Sequence, residues 1–366
     1  MKLGIVGLPN VGKTTLFNAL THGHAAATAY AYTSAESNVG VVAVPDPRLD
    51  RLDEVLETPK KVNATIDVVD IAGLAEGASR GEGLGNRFLS DIRSVDAVAH
   101  VVRVFGNPEV AHVREGADPL ADVELVETEL VLSDHELVER RLDKTRKAAR
   151  SGDKAAQHEL TVLEQLAASL LEGRLARAFE RGPEDAALFR ELALVSDRPL
   201  LFVLNTDDDA GGDAVLAGFA GFVEWARGRG DQVVAVAARL EAELADLEAD
   251  DAAEFRAELG ADEAGAIDVF LRAAYEVLGY ITFFTGDFRS SESRAWQLPR
   301  GWTAKQAAGR IHSDIEHGFV RAQVVNIDDL IELRSFHAAR EKALLRTEGK
   351  DYLVEDGDVI NFMHTG

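Results

Sequence analysis

Gly7-Leu8-Pro9-Asn10-Val11-Gly12-Lys13-Thr14-Thr15 decides how the rest of the chain is read. The apolar run Leu3 to Val6 before it predicts a strand, and Leu16-Phe17-Asn18-Ala19-Leu20 after it has helical spacing. G-x-x-x-x-G-K-[ST] between a strand and a helix is the context that turns a pattern match into a phosphate-binding loop. Backbone N–H groups of such a loop, with the helix N-terminus, supply fixed positive dipoles for a dense negative charge. Gly7 and Gly12 let the backbone approach phosphates with no Cβ in the way. Lys13 is placed to reach β- and γ-phosphates as a catalytic cation, and the Thr14 hydroxyl to bind a magnesium ion. Asn10, Val11, Gly12, Lys13, Thr14 and Thr15 are therefore the candidate phosphate cradle. The plain alternative, a glycine-rich turn that happens to carry a lysine, gives no reason for the strand–loop–helix setting.

Further elements follow in the order such a loop demands. Thr65 to Val69 is a β-rich run ending in Asp70-Ile71-Ala72-Gly73, a D-x-x-G arrangement. Asp70 is expected to hold the magnesium ion through water, and the Gly73 N–H to sense the γ-phosphate. A second hydroxyl ligand is expected between the two motifs, in Tyr30 to Asn38; Ser34 is the candidate, with Thr33 as the other choice and a solvated turn hydroxyl as the plain reading of either. Pro199 to Leu204 predicts a buried strand leading into Asn205-Thr206-Asp207-Asp208. GTPases carry N-K-x-D there, so Asn205, Thr206 and Asp208 are candidate base contacts, with threonine where the lysine stem would cover the base. The next strand, Gln232 to Val236, ends in Ala237-Ala238-Arg239, where a second base-contacting loop is expected. Residue types alone leave ATP and GTP both open.

Composition bounds the class. The chain has 366 residues, 46% of them hydrophobic, which allows two or three domains of ordinary globular type. Asp plus Glu number 63 against 39 Lys plus Arg, a formal net charge of −24. That excludes coating nucleic acid through bulk positive charge, DNA included, while leaving room for a local basic patch. There is no cysteine, so disulfides, thiolate catalysis and cysteine-held metals are excluded. No apolar run approaches a membrane span and no signal-peptide pattern is seen, so the expectation is a cytoplasmic protein without a membrane partner.

From Asp122 to about Leu194 the composition shifts to Leu, Ala, Glu and Arg with helical periodicity. Leu130, Leu137 and Leu142 supply apolar positions on one arm, and Leu160, Leu163, Leu166, Leu170 and Leu171 on a second. Ser151-Gly152-Asp153 is a turn between them, so the segment reads as an antiparallel helical hairpin. Near its tip Arg140, Arg141, Lys144, Arg146, Lys147, Arg150 and Lys154 form the one dense basic cluster of the sequence. It reads either as a contact to an acidic partner, or as a solvated face balanced by Glu136 and Glu139. After Tyr280 a strand-rich module begins: Ile281–Thr285, Arg294–Trp296 and Gln323–Val325 as strands and Ala304–His312 as a helix. Asp351–Val354 and Val359–Phe362 are expected as a hairpin about Glu355-Asp356-Gly357-Asp358.

Gly7 to Thr15, Asp70-Ile71-Ala72-Gly73-Leu74, Gly81-Glu82-Gly83-Leu84-Gly85-Asn86 and Glu348-Gly349-Lys350-Asp351-Tyr352 together resemble the YchF-type Obg-like ATPase family, over essentially the whole chain. The resemblance implies an α/β fold: a P-loop NTPase domain of Obg type in 1–121 and 195–279, the helical hairpin inserted at 122–194, and a ubiquitin-like β-grasp (TGS) domain in 280–366. It also implies ATP hydrolysis preferred over GTP hydrolysis, and association with the ribosome. Leu74 stands where Ras-like enzymes have a water-orienting glutamine and can neither donate nor accept a hydrogen bond. His112 falls where the family has a histidine proposed to position water, the alternative being a surface histidine with no role; His100, inside an apolar run, reads as a core histidine. The family usually has glutamate where this chain has Asp208. An asparagine at the place of Asn10 helps some P-loop proteins hold potassium, so a potassium ion is a further expectation.

Overall fold

Apolar runs buried on both faces become inner strands of a parallel sheet, and 97–103 and 200–205 are such runs, with every residue buried. The structure is a computed structural model that describes residues 1–23, 38–73, 84–106, 118–150, 152–208, 211–247, 251–252, 254–255, 265–288 and 290–365. Its strands are β1 (Lys2–Val6), β2 (Asn38–Val44), β3 (Lys61–Val62), β4 (Ala64–Asp70), β5 (Ala97–Arg103), β6 (Leu200–Asn205), β7 (Gln232–Val236), β8 (Tyr280–Thr285), β9 (Ser293–Pro299), β10 (Phe319–Asn326), β11 (Arg346–Glu348) and β12 (Asp358–His364). The helices referred to by label are α1 (Lys13–Gly23), α2 (Pro47–Leu56), α3 (Leu84–Arg93), α4 (Pro119–Ala149) and α5 (Lys154–Leu171).

Among the described residues one compact unit takes Met1–Gly23, 38–40 and Asp67–Phe270. Its sheet has the order β2-β4-β1-β5-β6-β7, and β1 pairs in parallel with both β4 and β5. β5–β6 and β6–β7 are parallel too. The order reverses direction of growth at β1, which puts the loop after β1 at the crevice where such sheets bind ligands. Helix Ala238–Ala245 packs against α1.

α4 and α5 form the expected hairpin. Gly152 turns the chain at φ +87°, and the Asp153 carboxylate caps α5 by accepting from the amides of Ala155 and Ala156 at 2.9 and 3.3 Å. Val138, Leu142, Leu163, Leu166 and Leu170 form its core. Leu171, expected among the apolar positions, is 71% exposed because it is the last residue of the helix and turns off that face. The second arm ends there, and residues 172–199 hold only short helical turns and the helix Ala186–Leu192. The fully buried Asp134 fixes the hairpin to that return segment: its carboxylate accepts from the amides of Val195 and Ser196 and from the Ser196 hydroxyl at 2.6–2.9 Å.

The other unit takes Val41–Ile66 and Leu271–Gly366. Its sheet runs β11-β10-β12-β8-β9-β3, with β8–β9, β10–β11 and β10–β12 antiparallel and β12–β8 and β3–β9 parallel. Helix Ala304–Ile311, capped by Thr303 and Gln306, packs on β9 and β10 over Phe283, Leu298 and Val324. The expected strand at 351–354 is absent. The amide of Ala304 bonds the carbonyl of Tyr352 and that of Val354 bonds Trp302, while the buried Asp358 carboxylate accepts from Tyr352 Oη and the amide of Glu355. Those bonds hold the segment as a loop, so no hairpin forms about Glu355–Asp358. The unit also recruits α2 and β3 from the first fifth of the chain, a joining that linear spacing does not announce. No helix among the described residues is long and apolar enough to cross a membrane.

Candidate functional site

The glycine-rich loop leaves β1 at its C-terminal end and delivers Lys13 to the first turn of α1. Asn10 takes the left-handed conformation (φ 63°), which asparagine tolerates better than most residues. Gly12 is at φ +96°, and a Cβ there would collide with Asn205 Nδ2. That side chain is why the loop is fixed. Asn205 Nδ2 donates to the carbonyl of Val11 at 2.8 Å, and its Oδ1 accepts from the amide of Ala238 at 3.1 Å. One amide at the end of β6 thus ties the phosphate loop to the loop after β7.

Lys13 is 8% exposed, and its Nζ donates to the carbonyl of Leu8 at 2.8 Å. Burial pulls its pKa down from 10.5 to about 8, partly opposed by the Asp70 carboxylate. Asp70, at the end of β4, is pushed above the usual carboxylate range by burial, against the Thr14 hydroxyl and Lys13. Thr14 Oγ1 donates to Asp70 Oδ2 at 3.0 Å. Gly73 lies against the same point: a Cβ there would sit 2.9 Å from Lys13 Nζ and 3.4 Å from the amide nitrogen of Pro9. An under-compensated carboxylate beside a hydroxyl is a hard oxygen donor set, which fits a magnesium ion, and the partly desolvated ammonium beside it fits a phosphate. The structure therefore brings together Lys13, Thr14, Asp70 and Gly73. Val11 is buried, and Thr15, the third residue of α1, is half-buried.

Thr206 is buried, and its amide donates to the carbonyl of Val236 at 3.1 Å. Asp208 is engaged by Arg239, Nη2 to Oδ2 2.6 Å. Arg239, expected in a base-contacting loop, stands in the first turn of the helix Ala238–Ala245, and nothing in the spacing of 208 and 239 signals the ion pair. Arg103 has no motif at all to mark it. It is buried at the end of β5, its guanidinium 4.3 Å from the Phe105 ring centre and its Nε bonded to the Phe105 carbonyl. His100 is a core histidine: it is 2% exposed, packs 5.8 Å from the Phe202 ring, and burial depresses its pKa to about 3, so it is neutral. Ser34, Thr33, Leu74 and His112 lie outside the described residues.

At the hairpin tip the basic cluster divides in two. Arg141 is held by Glu159 and Glu191 at 2.6 Å each, and Arg146 approaches Asp143 and Glu164. Arg140, Lys144, Lys147, Arg150 and Lys154 are exposed and make no ion pair among the described residues.

A sheet whose strands β4, β1, β5, β6 and β7 run parallel, with a glycine-rich loop at its reversal point and a buried lysine and a hydroxyl–carboxylate pair beside it, defines a P-loop nucleotide-binding protein of the α/β class. Residues 2–134 match the family described as 50S ribosome-binding GTPase, and residues 280–365 match that of the YchF-GTPase C-terminal region, described as a protein of unknown function. The chain is 43% identical to the ribosome-binding ATPase YchF of Escherichia coli O157:H7 over 99% of its own length and 98% of the relative's. Identity to the protein of that name from Bacillus subtilis strain 168 is 42%, over 98% of each. The structure of the Schizosaccharomyces pombe YchF GTPase superposes with a TM-score of 0.86 at 31% identity, covering 99% of this chain and 97% of that one. A GTP binding protein from Pyrococcus horikoshii OT3 shares the fold at a TM-score of 0.61 and 18% identity, each chain fully covered. The chain belongs to the YchF family.

Proposed function

We propose that the chain is a magnesium-dependent ATPase, preferring ATP to GTP, that works as a nucleotide-driven switch on the ribosome in the cytoplasm. The observation that carries this reading is the convergence of Lys13, Thr14 and Asp70, with Thr14 Oγ1 3.0 Å from the Asp70 carboxylate. Relatives at 36–43% identity over nearly the whole chain bear the name ribosome-binding ATPase. The base assignment rests on the missing lysine after Asn205 and on those names. The S. pombe relative is titled a GTPase and Asp208 is a carboxylate, so an Obg-type GTPase is the competing reading. A nucleotide-stabilised adaptor with negligible turnover is the third, favoured by Leu74.

In the proposed reaction water attacks the γ-phosphorus and the β–γ bridging oxygen leaves with the diphosphate. A bound magnesium ion would neutralise charge on the β- and γ-oxygens, held by Thr14, by Asp70 through water, and by Ser34. Lys13 donates to the same oxygens as charge moves onto them, and loop amides 10–15 form a preset cradle needing no rearrangement. Gly73 brings its amide to the γ-phosphate because no side chain keeps it from Lys13. His112 is assigned the positioning of water, since the Leu74 hydrocarbon cannot do so. Ser34 and Gly73 are assigned the readout of the γ-phosphate, because their contacts to the magnesium ion and to that phosphate would be present or absent with it.

Turnover of ATP and of GTP, each with magnesium or chelator and with or without ribosomes, tests the reading. Faster ATP turnover that needs magnesium, together with co-sedimentation, supports it. Tighter GTP binding sinks the base assignment, and no co-sedimentation sinks the partner.

A further inference from the structure

Guanine and adenine differ in what their Watson–Crick edges ask of a protein. Guanine presents two adjacent N–H donors, at N1 and N2, which a bare carboxylate accepts with its two oxygens. Adenine presents an acceptor at N1 beside a donor at N6. A carboxylate that already holds a guanidinium has one oxygen engaged and its charge offset, so it no longer offers a two-acceptor face. The pair offers an acceptor beside a donor instead.

Asp208 is in that condition. Arg239 Nη2 stands 2.6 Å from its Oδ2, and Glu243 steadies the same guanidinium from one turn along the helix at 3.6 Å. The approach is built in. Asn205, three residues before Asp208, holds the amide of Ala238 with its Oδ1, and Ala238 immediately precedes Arg239. The side chain that fixes the phosphate loop therefore also fixes the start of the helix from which Arg239 reaches Asp208. Both partners remain open to solvent, 32% for the Asp208 side chain and 70% for Arg239, so a base could meet them.

We propose that Arg239 is a positioning residue for base choice: by holding the Asp208 carboxylate it removes the site guanine needs and favours adenine. This rests on the reading of 205–208 as the base-recognition segment. An exposed ion pair adds little to fold stability, so substituting Arg239 leaves the fold intact.

The test is the ratio of affinities for non-hydrolysable ATP and GTP analogues, measured by calorimetry on the full chain. Arg239→Gln is expected to shift that ratio toward GTP by about tenfold, the scale of one charge-assisted hydrogen bond. Arg239→Lys, which keeps the charge and loses the planar fork, should shift it less. In an Asp208→Asn background Arg239→Gln should leave the ratio unchanged, because no carboxylate is left to release. Raising salt should move the wild-type ratio toward GTP and leave that of Arg239→Gln in place. A ratio unmoved by Arg239→Gln at unchanged melting temperature, or equal weakening of both analogues, overturns the inference. ATP preference is read separately from the wild type: a GTP-preferring wild type whose ratio still shifts with Arg239→Gln sinks the ATP assignment and keeps the ion pair's role.

Discussion

Asn205 Nδ2 donates to the carbonyl of Val11 across 2.8 Å, joining residues 194 apart in sequence. Its other side-chain atom holds the amide of Ala238 at 3.1 Å, and the residue is buried. The asparagine of the base motif therefore acts on the phosphate loop. Replacing it by alanine strands two buried backbone groups, at roughly 1–3 kcal/mol for each unsatisfied partner. Asn205→Ala is expected to lower the melting temperature and to weaken both nucleotides, ATP more than GTP because Arg239 is loosened from Asp208, all measurable in one calorimetric series. In an Arg239→Gln background, where that ion pair is already gone, Asn205→Ala should weaken the two by the same factor, and unequal weakening there would mean that Asn205 reads the base directly.

Lys13 gives a pH signature. Its pKa in the free protein is lowered to about 8 by burial, and bound phosphate must raise it again. A cation with a depressed folded pKa is charged in both folded and unfolded states below pH 8, where its burial penalty is fully present. As pH rises from about 8 toward 10.5 the folded state sheds that proton first, and the penalty is relieved. Nucleotide-free protein should therefore hold its stability better on the alkaline side than a Lys13→Met variant measured beside it. Nucleotide affinity should be level below pH 8 and fall above it, by up to about tenfold per unit, with proton uptake on binding. Calorimetry in two buffers of different ionisation enthalpy reads that uptake directly, and none at all above pH 8 would contradict the assignment.

Much of the site was legible because its signals are local. The run from Gly7 to Thr15, the strand ending at Asp70 and the buried strand before Asn205 each carry residue type, spacing and turn chemistry within a few positions. What was not legible needed distant partners. No pattern in 46–62 says that Arg48 will bond Asp356, or that β3 will pair with Ser293 and Arg294. The hairpin expected about Glu355–Asp358 failed for a similar reason: backbone groups at 352 and 354 are taken by 302 and 304. Likewise, composition marked seven basic residues near the hairpin tip, and only three-dimensional pairing separated Arg141 and Arg146 from the rest.

Asp70 is expected to separate stability from binding. Burial already disfavours its charge, so Asp70→Asn removes a desolvation cost in the nucleotide-free protein. The amide remains isosteric and can still accept from Thr14. Thermal melting without nucleotide should be unchanged or slightly raised, while the gain in affinity that magnesium gives the wild type should disappear. A large loss of stability without ligand would show that the Asp70 carboxylate is chiefly structural.

The free basic face of the hairpin makes a contrasting prediction. Arg140, Lys144 and Lys147 share one side of α4, are exposed, and make no ion pair among the described residues. Reversing all three to glutamate should alter stability by no more than about 0.5 kcal/mol per site. Ribosome co-sedimentation should weaken and its salt dependence flatten, with turnover in the absence of ribosomes as before. Unchanged co-sedimentation would return this face to the role of a solvated surface.

Asp53 tests whether 41–66 is integral to the C-terminal unit. One carboxylate oxygen accepts from the hydroxyls of Thr58 and of the fully buried Ser293 at 2.6 Å each, and Thr58 Oγ1 in turn accepts from the Ser293 amide at 2.9 Å. Desolvation acts to raise the Asp53 pKa, but the bonds from Ser293 and Thr58 and the charge of Lys61 outweigh it and hold the carboxyl below its ordinary value of 3.8. A carboxylate depressed in the folded state contributes stability that is present above its ordinary pKa and lost as pH falls through the folded value. Asp53→Asn should therefore lower the melting temperature at neutral pH, and the gap to wild type should close on acidification below about pH 4. Ser293→Ala should cost about 1–2 kcal/mol and be non-additive with Asp53→Asn, since both remove the same bond. Strict additivity across that double-mutant cycle would show that the serine–aspartate contact does not join β9 to α2.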